Sequence, residues 1–200
     1  MIAIVYWSLI SFFPTLLSAG KHEPDYNHHA YYDIIRNNKI IGYMKCSKLG
    51  NTETTEYINE SSAKFSAIID IAVYSKLQSS FRNGILEDGK LIRLVNGKTK
   101  ADKHIIRSKD QYLINNDGKS ASIKSSIHFS TACLMYAEPS GMKYIFSENF
   151  GKYIAVSQTA PHIYTLRLPD GDNIYTYQNG KCIQVEVQTT LATIYIRPRQ

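Results

Sequence analysis

The sequence has few cysteines, and none of them is close to another along the chain. Cys46, Cys133 and Cys182 are the only three among its 200 residues. Zinc sites and redox motifs need cysteines a few residues apart, so this spacing excludes both kinds of site. In an oxidising compartment one pair could form a disulfide bond and leave an odd thiol. We favour the interpretation that all three are buried as small apolar side chains.

Motifs that carry catalytic chemistry are also missing. The sequence has no glycine-rich phosphate loop, no H-E-x-x-H metal motif and no G-x-S-x-G nucleophile elbow. Ser61 and Lys64 match the S-x-x-K pattern of penicillin-binding enzymes, but they lie on a predicted strand rather than on the helix which that chemistry needs. His104, His128 and His162 are scattered. We therefore predict no enzyme activity, no catalytic residue, no cofactor and no metal site, and we assign no ligand-binding residue.

The sequence has no cluster of like charges. Its formal net charge at pH 7 is +6, but the basic residues are spread along the chain. That distribution is typical of a solvated surface and gives no reason to predict a nucleic-acid partner. His22, Glu23, Asp25, His28 and His29 could together bind a transition metal. Because they lie in a predicted flexible segment without a rigid scaffold, we interpret them as a solvated tail.

The N-terminal segment, residues 1–19, contains no charged side chain. Its apolar run ends in the small residues Ser18 and Ala19, which is typical of a secretory signal peptide cleaved after Ala19. A membrane span needs about 20 apolar residues, and this run is short and broken by Pro14. An uncleaved anchor is the alternative, because no basic residue precedes the run and Leu17 is large for its position. We predict an exported protein, periplasmic or extracellular, with no transmembrane segment in the mature chain.

The remaining sequence has the two-residue alternation of antiparallel strands. Between residues 162 and 196, Tyr164, Leu166 and Leu168 occupy alternate positions and so share one face of a strand. Asn179-Gly180 is a strong hairpin signal, because both central positions of a type I′ turn need φ > 0. Similar turn signals occur at 83–84, 88–89, 96–97, 117–118 and 169–171. This spacing predicts an up-and-down antiparallel sheet.

Two long segments are harder to assign. Residues 63–81 keep a strict parity and many β-branched side chains, which favours one long bent strand, or two strands with a bulge, over a helix. Asp70 is then expected on the polar face. Residues 126–137 are the only predicted helix, with Ser126 as its cap and residues 139–141 as its stop. Phe129, Ala132, Cys133 and Tyr136 would share its apolar face.

Tyrosine is abundant on the predicted strands. Its apolar ring and hydrogen-bonding tip would allow a concave sheet to hold an amphipathic ligand such as a lipid or a glycan. The simpler interpretation is that tyrosine is a good strand former. The residues concerned are Tyr31, Tyr43, Tyr57, Tyr74, Tyr144, Tyr153, Tyr164, Tyr175, Tyr177 and Tyr195. An outer-membrane barrel is less favoured, because several strands are short and Lys45, Lys64 and Lys76 interrupt both faces.

Four segments resemble a family of uncharacterised secreted β proteins from Bacteroidetes-type bacteria. The segments are YDIIRNNKIIGYMK, LMYAEPSG, IFSENFG and YTLRLPDGDNIYTYQNG, and the resemblance covers residues 31–196. The family is distantly similar to periplasmic lipoprotein carriers, in which a curved antiparallel sheet wraps a helical lid around an apolar cavity. The resemblance implies this fold. It implies no site residues, because the sequence contains no carrier motif.

These observations predict a signal peptide over 1–19, a flexible lead-in over 20–27 and a single β domain over 28–197. The domain is expected to be a strongly curved antiparallel sheet, a half-barrel or incomplete barrel, with one short helix on its concave side. We predict a non-catalytic binder or carrier of an apolar or amphipathic molecule in the cell envelope, which needs a cavity. A module that binds another envelope protein, predicting an exposed apolar patch without a pocket, and an envelope hydrolase are the alternatives.

Overall fold

Fourteen antiparallel strands in one sheet make up the described part of the chain, which a computed structural model gives as residues 26–66, 70–189 and 192–199. Residues 1–19, the predicted signal peptide, lie outside the described residues, as do positions 20–25 of the predicted lead-in. None of the described helices has the length and apolar character needed to span a membrane. The strands are β1 (Tyr26–Arg36), β2 (Lys39–Gly50), β3 (Thr54–Ser66), β4 (Asp70–Arg82), β5 (Ile85–Val95), β6 (Lys98–Ser108), β7 (Gln111–Asn116), β8 (Lys119–Ile123), β9 (Tyr144–Ser147), β10 (Lys152–Ala160), β11 (Ile163–Leu168), β12 (Gly171–Gln178), β13 (Lys181–Gln188) and β14 (Thr193–Pro198).

The first and last strands lie side by side in the middle of the sheet, so that two meanders are joined there. β1 pairs with β14, with Tyr32 opposite Pro198, and β8 and β9 form the two edges. The sheet curls so far that its edges approach each other, since the Tyr153 hydroxyl on β10 lies 3.2 Å from that of Ser125, just after β8. The sheet is nevertheless not closed by strand pairing. The prediction of a curved antiparallel sheet that forms an incomplete barrel is confirmed at this level.

Tight hairpins connect most neighbouring strands. Positive φ angles at both turn residues confirm the predicted turns at 83–84, 96–97, 117–118 and 179–180. The predicted turn at Asp88-Gly89 is wrong, because both residues lie within β5. Gly89 has another purpose there. A Cβ atom at this position would lie 3.4 Å from Cγ of Glu148, so glycine leaves room for that side chain on the inner face.

The predicted long strand over residues 63–81 is in fact a hairpin. β3 ends at Ser66 and β4 begins at Asp70, and these two residues lie opposite each other in the ladder. No glycine, proline or asparagine marks the reversal, and the side-chain parity continues through it, so the sequence pattern did not reveal it. Residues 67–69 lie outside the described residues. Asp70 is exposed, as predicted, and accepts a 2.6 Å hydrogen bond from the Ser66 hydroxyl.

The predicted helix over residues 126–137 is also wrong. The segment contains a single turn of 3-10 helix, Thr131–Cys133. The backbone carbonyls of this segment accept hydrogen bonds from other parts of the chain. The Leu86 amide donates to the Ile127 carbonyl at 2.9 Å, and the Phe146 amide donates to the Phe129 carbonyl at 3.2 Å. These contacts take backbone groups that a helix would pair internally. The segment does pack against the inner face, and it contributes buried side chains to both hydrophobic clusters of the core.

All three cysteines are free and buried, as we favoured from the sequence. Cys46 and Cys182 belong to one hydrophobic cluster and Cys133 to the other. Burial raises the pKa of the Cys133 and Cys182 thiols to about 12, and it raises the pKa of Cys46 as well. The thiols are therefore protonated at neutral pH and act as small apolar groups.

Part of the fold should be sensitive to acid, because Lys103 on the inner face of β6 pairs with Asp117 in the β7–β8 turn. The hydrogen bond from Lys103, together with one from the Asp102 amide at 2.8 Å, holds the pKa of Asp117 below its ordinary value. A carboxylate whose pKa is depressed by folding stabilises the protein above its unfolded-state pKa, and the stabilisation is lost as the pH falls through the folded-state pKa.

We therefore expect Asp117→Asn, which keeps a residue suited to the turn, to lower the free energy of unfolding at about pH 7 but hardly at about pH 2. Urea unfolding of both proteins at the two pH values checks this expectation. An equal difference at both pH values would show that the Asp117 carboxylate is not the acid-sensitive group.

Candidate functional site

The concave side of the sheet encloses a cavity of about 490 Å³. This volume lies within the range of roughly 300–1,000 Å³ that is usual for sites of small ligands. The lining comes from β2–β5, from the segment between β8 and β9, from the end of β9 and the β9–β10 turn, and from β11–β14 with their turns. The cavity that the predicted binder requires is therefore present in the fold.

One side of the cavity is an apolar wall, formed by aliphatic side chains of β11, β13 and β14. Val185 and Val187 point inward from β13, and they lie opposite Ile196 and Ile194 of β14 in the ladder. The alternation visible in the sequence places them, since every second residue of a strand faces the same side. The members of the apolar wall are Leu166, Leu168, Val185, Val187, Ile194 and Ile196.

A polar wall on β3–β5 consists of Asn59, Ser61, Ser75 and Arg93, and the same strands also contribute Val73, Leu77 and Leu91 to the lining. Ser61 pairs with Ser75, and Ser75 pairs with Arg93, so these three form one row across adjacent strands. Side chains in such a row lie about 5 Å apart. The wall was not predicted from the sequence. The feature that could have indicated it is a set of polar residues on the strand face that also carries Leu77 and Leu91.

The polar wall offers hydrogen-bonding groups that the fold does not use. Within the described residues, the Arg93 guanidinium forms no ion pair or hydrogen bond, and neither do the hydroxyls of Ser61 and Ser75 form hydrogen bonds. The Asn59 amide nitrogen donates to the Ala132 carbonyl at 3.1 Å. Its carbonyl oxygen is buried and has no partner in the described chain. Buried polar groups are normally paired, so this wall is chemically incomplete.

The cavity reaches the surface at the turns that follow β11 and β13. Asp170, Gln188 and Thr189 line it there, and all three are exposed. Thr131 and Met135 of the segment between β8 and β9 also line it, and Met135 is buried. A ligand would therefore enter between the β11–β12 and β13–β14 turns.

Beside the cavity, Glu148 is a fully buried carboxylate. It accepts hydrogen bonds from the hydroxyls of Ser79 (2.7 Å), Ser130 (2.5 Å) and Thr131 (2.6 Å). No lysine, arginine or histidine of the described chain forms an ion pair with it. These bonds join the β9–β10 turn and β4 to the segment between β8 and β9, residues 124–143, which we call the inner segment. Glu148 therefore anchors the inner segment to the sheet beside the cavity.

Comparison with known proteins shows which family has this fold. A model of the family described as domain of unknown function (DUF6134) matches residues 32–199. The chain belongs to this family. Our prediction of an uncharacterised β-rich family is confirmed to that extent. The Bacteroidetes-type source and the likeness to lipoprotein carriers are not addressed by this match and stay predictions.

A solved structure resembles this DUF6134 domain in fold. It is a β-barrel-like protein of domain of unknown function DUF1849 from Brucella abortus, with 11% sequence identity and a TM-score of 0.54. The match covers 87% of this chain and 96% of the other. At this identity the likeness concerns the fold. No curated protein matches the chain.

The histidines of the DUF6134 domain do not line the cavity. His104 lies 2.7 Å from Asp88, and His29 lies 2.8 Å from Ser47, but both pairs lie on the outer face of the sheet. His162 contacts Glu138 on an exposed turn. Burial would raise the pKa of Glu138, but hydrogen bonds from Tyr164 and His162 outweigh it and hold that pKa below its usual value.

The remaining residues singled out from the sequence lie apart. Ser61 faces the cavity, whereas Lys64 is exposed on the opposite face of β3, so the two cannot act together. Within the described ranges, no group of three or more His, Cys, Asp or Glu side chains is arranged to hold a metal ion. Of the polar cluster that we interpreted as a solvated tail, His28 and His29 instead lie on β1, and residues 22–25 lie outside the described residues.

Of the two interpretations of the abundant tyrosines, the described residues favour the simpler one, in which tyrosine is a good strand former. Tyr175 lines the cavity, but Tyr164 and Tyr177 are buried in the core, where their hydroxyls donate to Glu138 and to the Leu134 carbonyl, each at 2.8 Å. Tyr31, Tyr43 and Tyr144 are among the exposed side chains. Most of the cavity's apolar surface is therefore aliphatic, and the buried tyrosines mainly support the fold.

Proposed function

We propose that this DUF6134 domain is an exported, non-catalytic protein that binds or carries an apolar or amphipathic molecule in the cell envelope. The observation that carries the proposal is the cavity, with an aliphatic wall facing a polar wall. Removing apolar surface from water contributes roughly 25 cal/mol per Å². A ligand chain lying along the apolar wall would gain this contribution. The signal-like residues 1–19 support export, because they combine an uncharged apolar run with a small-residue end.

The alternative functions have less support. A module that binds another envelope protein through a sheet face should have a large apolar patch and no pocket. The exposed large apolar side chains of the described residues are instead distributed over β1, β2, β5, β6, β7, β9, β10 and β13. An envelope hydrolase needs a histidine beside a nucleophile in a cleft, and the described histidines lie outside the cavity.

A cavity-filling substitution tests the proposal. We expect the purified protein to enhance the fluorescence of N-phenyl-1-naphthylamine, a neutral apolar probe, and dodecanol to displace the probe. Val187→Trp should abolish the enhancement, because the indole ring would occupy the space along the apolar wall. Overpacking a filled core costs about 1–3 kcal/mol, and a void lowers that cost, so the variant should still fold.

Ile183→Trp is the matched control, because Ile183 lies on the same strand but is exposed. It should bind the probe as the unchanged protein does, and circular dichroism melting should show that both variants are folded. If the unchanged protein does not enhance the fluorescence, or if Val187→Trp enhances it equally, the cavity is not the binding site and the proposal is wrong.

A further inference from the structure

The polar wall of the cavity contains a cation that the fold leaves unpaired. Arg93 is half-buried on the inner face of β5 and has no ion-pair partner in the described chain. The other arginines of the sheet that have acidic partners contact them directly, as Arg107 contacts Glu87 at 2.6 Å and Arg199 contacts Asp33 at 2.8 Å. The Arg93 nitrogens are not among the buried unpaired atoms of the described chain, so they are accessible to a ligand in the cavity.

The two serines in the row with Arg93 can donate hydrogen bonds to an anion. Ser75 lies directly opposite Arg93 on β4, and Ser61 follows on β3, with both hydroxyls unused. A guanidinium presents a planar fork that matches the oxygens of a carboxylate or a phosphate, and the hydroxyls can donate to the remaining lone pairs. We infer that this row binds the oxyanion head of a single-chain amphiphile whose hydrocarbon tail lies along the apolar wall.

This inference rests on the proposed function and names the ligand class. Both parts of the ligand have a counterpart in the cavity, because the row of Ser61, Ser75 and Arg93 faces aliphatic side chains such as Val187 and Ile194. Of the described residues that line the cavity, only Asp170 is acidic, and it is exposed at the rim, where solvent screens its charge. Glu148 lies beside the cavity, and its carboxylate accepts hydrogen bonds from three hydroxyls. Neither carboxylate forms an ion pair with Arg93.

The experiment compares ligands of equal chain length but different heads. Dodecanoate, dodecyl phosphate and dodecanol compete with N-phenyl-1-naphthylamine for the unchanged protein, Arg93→Met and Arg93→Lys. We expect Arg93→Met to lower the affinity for both anions by about tenfold or more, since a charge-assisted bidentate contact is lost. The affinity for dodecanol should change by no more than about twofold. Arg93→Lys should recover part of the affinity for both anions, because it restores the charge without the fork.

Arg167→Met is the matched control, because Arg167 is exposed on the outer face of β11 and its loss changes the net charge equally. It should leave all three affinities unchanged. Acetate and inorganic phosphate, which lack a tail, should not displace the probe. If dodecanol competes but Arg93→Met binds the anions as well as before, the head-group site is wrong and the proposed binding function stands. If neither dodecanol nor the anions compete, the proposed function fails as well.

Discussion

Gly42→Ala should destabilise the sheet by about 3 kcal/mol or more, although it adds a single methyl group. An ideal Cβ at Gly42 would lie 2.1 Å from the Ser62 carbonyl oxygen and 2.5 Å from the Ala63 Cα. Both contacts are with the backbone of the neighbouring strand β3, which cannot move aside like a flexible side chain. The methyl group would separate β2 from β3 near the middle of the fourteen-stranded sheet, where Gly42 pairs with Ala63.

Gly97→Ala is the control for this variant. Gly97 lies in the β5–β6 turn with a φ of +76°, and a Cβ there would meet nothing within 4 Å. Gly97→Ala should lower the free energy of unfolding by only about 1–2 kcal/mol, which is the usual strain of a residue in the left-handed conformation. The midpoints of urea unfolding compare the two variants. A smaller loss for Gly42→Ala than for Gly97→Ala would mean that β2 and β3 do not approach as closely as described.

Glu148→Ala should cost about 3–5 kcal/mol, the second large effect that we expect. Three hydroxyls, on Ser79, Ser130 and Thr131, would lose their acceptor in a buried site, and the removed side chain would leave a void. The loss should be largest in the inner segment, because Ser130 and Thr131 anchor that segment to the sheet. Hydrogen exchange at the Cys133 and Phe146 amides, which donate to carbonyls of this segment, should become faster.

Glu148→Gln is the matched variant, because it keeps the shape of the side chain and one acceptor oxygen. It should lose clearly less stability than Glu148→Ala. Equal losses for the two variants would show that the charge, rather than the shape and the acceptor, dominates. No loss in either variant would contradict the role of Glu148 in anchoring the inner segment to the sheet.

The sequence contained enough information for the general fold. Turn chemistry at pairs such as Asn96-Gly97 and Asn179-Gly180 is local, because those residues tolerate the positive φ angles that a tight hairpin needs. The alternation of Val185 and Val187 is local as well, and it places both side chains on one face of β13. One detail differs on that strand: Ile183 has the same parity but is exposed, since the register of β12 and β13 shifts beside it.

Features that depend on distant contacts could not be read in this way. Residues 126–137 have helical spacing, but hydrogen bonds to Leu86 and Phe146 hold them in an irregular path. The role of Glu148 could not be predicted from the sequence, because its three hydrogen-bond donors come from β4 and the inner segment. The polar wall was missed for a related reason. Polar residues such as Ser75 and Arg93 on a strand are expected to face water, and only the curvature of the whole sheet shows that this face lines a cavity.

Native mass spectrometry gives the most direct test of the claim that this cavity holds an amphiphile. The protein and its Val187→Trp variant would be expressed with residues 1–19, purified from the cell envelope and sprayed with and without added dodecanoate. We predict a one-to-one adduct for the unchanged protein and none for the variant. An unchanged protein that remains free of adduct with dodecanoate in excess, or a variant that binds it equally, would contradict the account.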